Sequence, residues 1–231
     1  HLFLYDLYHS NATLFFALIT DHIDEMMPII YTPTIAEAVQ GFSNYYRHQH
    51  GLIISYPELD QIDEILSQLN KDELDIAVVT DGEGVLGIGD QGVGGLAIAS
   101  GKLMVYTLCG AINPFRTLPI QLDMGTNNQK LLDDPLYLGW RHKRLNEQQC
   151  RQFYDRFVDS FKKHLPHTLL HWEDLGRSNA RQVLERYENV HPSFNDDIQG
   201  TGAVAVAAVL AAIKQSGIEI SRHRFCIFGA G

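Results

Sequence analysis

The chain is poor in cysteine. Cys109, Cys150 and Cys226 are an odd number, widely spaced along 231 residues. No CxxC pair and no CxxC–His pattern occurs, which argues against a disulfide framework and a thiolate zinc site and points to a reducing, cytoplasmic compartment. Positive charge is also short: 18 Lys+Arg against 28 Asp+Glu leave a formal charge of −10. Such an acidic surface argues against nucleic acid or an anionic membrane as partner, because both need a positive face. An apolar run of about 20 residues, the length a spanning helix needs, is missing too. Residues 198–213 are uncharged, but contain Gln199, two glycines and Thr201, and read as a buried helix. No basic segment followed by an apolar core opens the chain, so no secretory signal is read, and both His1 and Gly231 look like cut ends. HExxH and GxSxG signatures are absent as well.

What is present is an ordinary globular composition, 45% hydrophobic and 20% charged, in a length that fits one or two domains. Residues 1–50 read as helical. Thr34 and Glu37 form a capping-box pair behind Pro33, predicting a helix that turns Ile35, Val39 and Phe42 inward. Further on, Leu59, Ile62, Leu66 and Leu69 recur at helical spacing, and so do Cys150, Phe153, Phe157, Val158 and Phe161. Strands are expected at 76–79, 118–122 (despite Pro119), 168–171 and 225–228, and helices at 178–186 and 203–213. Strands alternating with helices predict an α/β fold with a mostly parallel sheet.

Each early strand runs into a polar loop: Thr80-Asp81-Gly82-Glu83, Asp123-Met124-Gly125-Thr126-Asn127-Asn128 and Trp172-Glu173-Asp174. Ligands of open α/β sheets bind beyond the carboxyl ends of the strands, so these loops are expected to share one edge, although loops are polar for many reasons. The acid pairs Glu173-Asp174 and Asp196-Asp197 suit a hard divalent cation; helix capping by Asp196 or Asp197 is the alternative. Lys102 carries the one charge between Asp90 and Arg116. Apolar surroundings disfavour its charged form and move it toward general-base range, unless the side chain reaches solvent along its helix. Tyr31, at a turn, reads by itself as a packed aromatic. Gly87-Ile88-Gly89-Asp90-Gln91-Gly92 matches GxGxxG, but no strand abuts it, so it reads as a glycine-rich substrate loop. Gly229-Ala230-Gly231 follows an apolar run directly and is the better start of a dinucleotide site.

Taken together, Met27-Pro28-Ile29-Ile30-Tyr31-Thr32-Pro33-Thr34, Val79-Thr80-Asp81-Gly82-Glu83, Gly101-Lys102-Leu103, Gly125-Thr126-Asn127-Asn128, Trp172-Glu173-Asp174 and Phe194-Asn195-Asp196-Asp197-Ile198-Gln199-Gly200-Thr201 resemble, in order, the motifs of the large-subunit malic enzymes and the related malolactic enzymes. The resemblance implies L-malate as substrate, Mn²⁺ or Mg²⁺ and NAD as cofactors (NADP left open), and a homodimer or homotetramer. It implies Tyr31 as general acid and Lys102 as general base. Glu173, Asp174 and Asp197 become metal ligands, Asp196 tunes Lys102, and Gly229, Ala230 and Gly231 open the NAD site. It divides the chain into a helical region, 1–50, a substrate and metal domain, 51–195, and the start of a Rossmann-like NAD domain, 196–231. Gly84 departs from the arginine usual in malic enzymes after Thr-Asp-Gly-Glu. That departure keeps a malolactic reading open, with lactate as product, beside a non-catalytic fragment.

Overall fold

The structure is a computed structural model and describes residues 1–46, 51–69 and 74–228. The chain divides into two compact units, His1–Asn195 and Asp196–Gly231. The first unit opens with short helices α1 (Leu2–Ser10), α2 (Ala12–Asp21), α3 (Ile23–Ile30), α4 (Ile35–Gln40) and α5 (Phe42–Tyr45). Strands follow as β1 (Leu52–Ser55), β2 (Ile76–Thr80), β3 (Thr117–Asp123), β4 (Leu169–Trp172) and β5 (Ser193–Asn195). Between them lie α6 (Ile62–Ser67), α7 (Gly95–Gly110), α8 (Gln129–Asp133), α9 (Glu147–His164) and α10 (Arg177–Tyr187). The strands form one sheet in the order β1-β3-β2-β4-β5 with every pair parallel.

Strand β2 explains why both faces of this sheet must be covered. All five of its residues are buried. Ala77 and Val79 join the core under α9, whereas Ile76 and Val78 join the core under α7 with Ala99 and Leu103. Successive side chains of a strand point to opposite faces, and a continuous apolar run is therefore buried from two sides. Helix α9 supplies Phe153, Phe157 and Phe161, all fully buried against Leu170 and Trp172. Each such side chain stabilises by about 1.5–3 kcal/mol. The helix starts where the sequence directs it, because Asn146 and Gln149 exchange side-chain bonds with each other's backbone N–H. Pro119 is tolerated inside β3: the Arg116 carbonyl accepts from Asp75 N, so Pro119, three residues on, faces the other neighbour at a point before β1 begins.

Several sequence expectations need correction. No capping box forms at Thr34, which is itself helical (φ −65, ψ −28) and makes no side-chain cap bond; an N-cap residue needs extended backbone to turn its oxygen back. β1 and β5 escaped the sequence reading because strands of four and three residues show too little alternation. In the second unit, α11 (Thr201–Ser216) is exposed rather than buried, with Val204, Val206 and Leu210 open. Residues 225–228 form no strand, since the described part of that unit offers no strand to pair with. The length argument against membrane spans also fails. Gly92–Gly110 and Asp196–Ser216 are long and apolar enough to cross one, although 61% of the first is buried inside the protein.

Candidate active site

Tyr31 and Lys102 meet on one oxygen of Glu173. Glu173 follows β4 and its backbone N–H is held by the Val79 carbonyl at 2.9 Å, so strand pairing fixes where its side chain begins. Lys102 Nζ lies 2.8 Å from Glu173 Oε1, and the Tyr31 hydroxyl donates to the same oxygen at 3.2 Å. The ammonium also sits 5.2 Å from the Tyr31 ring centroid, a cation–π distance. Gly101 makes this possible: a Cβ there would lie 3.0 Å from Tyr31 Cδ2, so a larger residue would push the ring away from α7. The apolar surroundings expected for Lys102 from sequence thus include a carboxylate 2.8 Å from its Nζ. Burial, and next the charge of Glu173, push the Tyr31 hydroxyl well above the ordinary phenol range, so it keeps its proton at neutral pH.

Glu173 Oε2 is taken by His171 Nε2 at 2.6 Å, and His171 Nδ1 lies 2.8 Å from the Tyr106 hydroxyl. Asp174, 3% exposed, adopts left-handed backbone at φ 51, a conformation that costs most side chains but that Asp tolerates better than most. The bend aims its carbonyl at Gly84 N, 3.0 Å away.

Gly84 has a packing reason to be glycine. A Cβ at that position would fall 2.4 Å from the Leu175 carbonyl oxygen and 3.3 Å from that of Asp174. No arginine fork fits this backbone, so the departure at Gly84 reports close loop contact. Gly84→Ala is expected to lower unfolding free energy by about 1–3 kcal/mol, the usual cost of overpacking. Denaturant unfolding checks it, and wild-type stability would contradict the contact.

A second buried cluster lies beyond β2. Arg144, its side chain 5% exposed, forks onto Asp90 with bonds of 3.0 and 2.8 Å. It also donates to the Asp81 carbonyl at 3.0 Å. The fully buried Asp81 carboxylate accepts from Tyr154 at 2.8 Å and from Glu83 N at 2.8 Å. Burial acts to raise the Asp90 carboxyl, but its bonds from Arg144 outweigh it and hold the group below the usual carboxylate range. Glu83 has Arg144 no nearer than 3.9 Å; burial, then Asp81, raise it.

Of the residues singled out from sequence, Tyr31, Lys102 and Glu173 are thus in contact, with Asp174 next in the same loop. Asp196 and Asp197 stand in the first turn of a π-helical segment, Asp196–Gly200, that opens the second unit. Gly229, Ala230 and Gly231 lie outside the described residues. The 87–92 loop enters α7 through a short 3-10 turn, Gly92–Gly94, without a preceding strand. The three cysteines are free. Sequence reasoning missed His171, Tyr106 and Arg144. His171, on β4, precedes Glu173 by two in extended chain, and Tyr106 follows Lys102 by four on a helix, spacings that share a face. Arg144 sits in a loop and gives no such signal.

Comparison with known proteins gives two family matches. Residues 8–188 match the malic enzyme, N-terminal domain, and residues 198–231 the malic enzyme, NAD binding domain. The NAD-dependent malic enzyme of Pseudomonas aeruginosa (strain LESB58) is 51% identical over 231 residues, all of this chain and 41% of that protein. Those of Idiomarina loihiensis and Aeromonas hydrophila are 49% and 48% identical over the same spans. The chain therefore covers 41% of the length of these relatives. The crystal structure of Entamoeba histolytica malic enzyme aligns with a TM-score of 0.46 and 23% identity, over 84% of this chain and 32% of that one.

Proposed function

The chain belongs to the malic enzyme family, and from that premise we propose that the complete protein converts L-malate to pyruvate and CO₂, with NAD and Mn²⁺ or Mg²⁺. The observation that carries the reading is the meeting of Tyr31 and Lys102 on Glu173 Oε1. This contact supports a reading in which Lys102, when neutral, serves as proton acceptor beside Tyr31 as proton donor. The relatives named above are NAD-dependent malic enzymes, and with the arginine question answered by packing, nothing favours lactate as product.

In this mechanism Lys102 Nζ takes the proton of the C2 hydroxyl, and Glu173 holds the resulting ammonium. The Tyr31 hydroxyl, kept protonated by burial, delivers a proton to C3 once CO₂ has left. When bound, NAD would supply the hydride acceptor for C2 and a divalent ion the electrophilic assistance to decarboxylation. Glu173 and Asp174 fit such an ion: both are 3% exposed, adjacent, and carry hard oxygen donors. Asp197 is assigned as the third ligand and Asp196 as the tuning group for Lys102. Residues 51–195 serve substrate and metal, and 196–231 begin the NAD domain with Gly229, Ala230 and Gly231 at its phosphate turn. The apolar surface of α11 belongs to the interior of that domain, which supports a protein free of membrane. A cytoplasmic homodimer or homotetramer completes the reading.

Product analysis on the complete protein tests it. One pyruvate and one NADH per malate are expected; lactate without NADH would refute it. Mn²⁺ at millimolar concentration is expected to raise the melting temperature by relieving repulsion among the carboxylates. Asp174→Asn should remove most of that shift, and an unchanged melt with metal would count against the site.

A further inference from the structure

Helix α7 reaches Glu173 twice. Lys102 binds Oε1 directly at 2.8 Å. Tyr106, one turn along the same helix, reaches Oε2 through His171 by contacts of 2.8 and 2.6 Å. The ring that closes runs Lys102, Glu173, His171, Tyr106 and back along the helix. His171 is fully buried and wedged between the rings of Tyr106, at 5.6 Å, and Phe194, at 4.6 Å. A carboxylate accepts and does not donate, so the imidazole presents Nε2–H to Glu173. In the neutral ring Nδ1 is then the acceptor, and Tyr106 O–H the donor that fixes this tautomer. Every hydrogen-bonding atom of the imidazole is thereby assigned to one geometry.

We infer that Tyr106 and His171 are positioning residues that set the plane of the Glu173 carboxylate and, through it, the place of Lys102 Nζ. The inference rests on the reading of Lys102 as the base. A carboxylate held at both oxygens cannot rotate about its last bond, whereas one held at Oε1 can, carrying the lysine with it. Groups that orient a site carboxylate from behind are typically worth about 10–100-fold in activity.

The test uses the complete enzyme in single turnover, with enzyme in saturating excess over malate, following NADH in a rapid-mixing instrument. The first-order constant obtained does not depend on the fraction of protein that is folded. Tyr106→Phe, which deletes one hydroxyl and keeps the ring, is expected to lower it about 10-fold, and His171→Leu by up to about 100-fold. His171→Gln retains an N–H donor for Oε2 and is expected to recover most of the loss. The inference is overturned by parental constants in Tyr106→Phe and His171→Leu, or by a His171→Gln constant as low as that of His171→Leu. Should His171→Leu fail to fold, the Tyr106→Phe and His171→Gln constants decide the matter by themselves. A parental enzyme that forms no NADH from malate would instead refute the underlying reading of the reaction.

Discussion

Lys102→Ala is expected to slow malate turnover by the complete enzyme about 10²–10⁴-fold, the usual worth of a positioned acid or base. The lysine side chain is 16% exposed and meets the carboxylate on which the Tyr31 hydroxyl also converges, and alanine offers no basic group in that position. Loss of the ammonium leaves Glu173 with His171 and Tyr31 as remaining partners, enough to keep the loop in place. The far-UV circular dichroism of the variant should match the parent. Steady-state kinetics with malate and NAD give the ratio; a variant keeping more than a tenth of the parental rate would remove Lys102 from the mechanism.

Arg144→Met should produce the largest loss of stability, about 3–5 kcal/mol, the cost of taking one partner out of a buried ion pair. The methionine stem fills much of the same volume, so the loss reports charge rather than a cavity. Without the guanidinium, Asp90 loses both bonds of the fork and Asp81 loses the donor on its carbonyl. The Asp90 carboxyl, now held low, would rise toward the usual range or above it. Asp90 is therefore a group with depressed folded-state titration. Its share of stability is present above the unfolded carboxylate range and lost as pH falls through its folded value. Accordingly, the gap between parent and Arg144→Met should narrow in acid. Urea unfolding at neutral pH and near pH 3 measures both effects, and an equal gap at both would contradict the pairing.

How much of this was legible beforehand follows from the length scale of each signal. The stripe of Cys150, Phe153, Phe157 and Phe161 repeats over several turns and names α9 correctly. The run Ile76-Ala77-Val78-Val79 has a parallel, doubly covered strand as its natural reading, and β2 is one. β5 is three residues long and owes its existence to the neighbouring β4, a fact no local pattern holds. Thr34 failed as a cap for a similar reason: the Thr34 and Glu37 spacing is right, but the backbone of Thr34 is helical. In the site, residue type and motif order pointed to Tyr31, Lys102 and Glu173. The Arg144 cluster depends on loops that meet across 54 residues, from Asp90 to Arg144, and such meetings are written in the fold rather than in the spacing. Gly84 was the subtler lesson. Read as a missing arginine it suggested different chemistry; read with the Leu175 carbonyl beside it, it is a point where two loops touch.

Three consecutive residues of α7 serve three different neighbours. Lys102 faces the carboxylate, Leu103 joins the core beneath the sheet, and Met104 joins Leu4, Phe15 and Ile19 of the opening helices. An α-helix turns about 100° per residue, so the three contacts act as bearings spaced around one shaft. The angle at which the lysine is presented is consequently set from two sides at once, by the sheet and by the first twenty residues of the chain. Those opening helices thereby help to orient Lys102 through the neighbouring Met104.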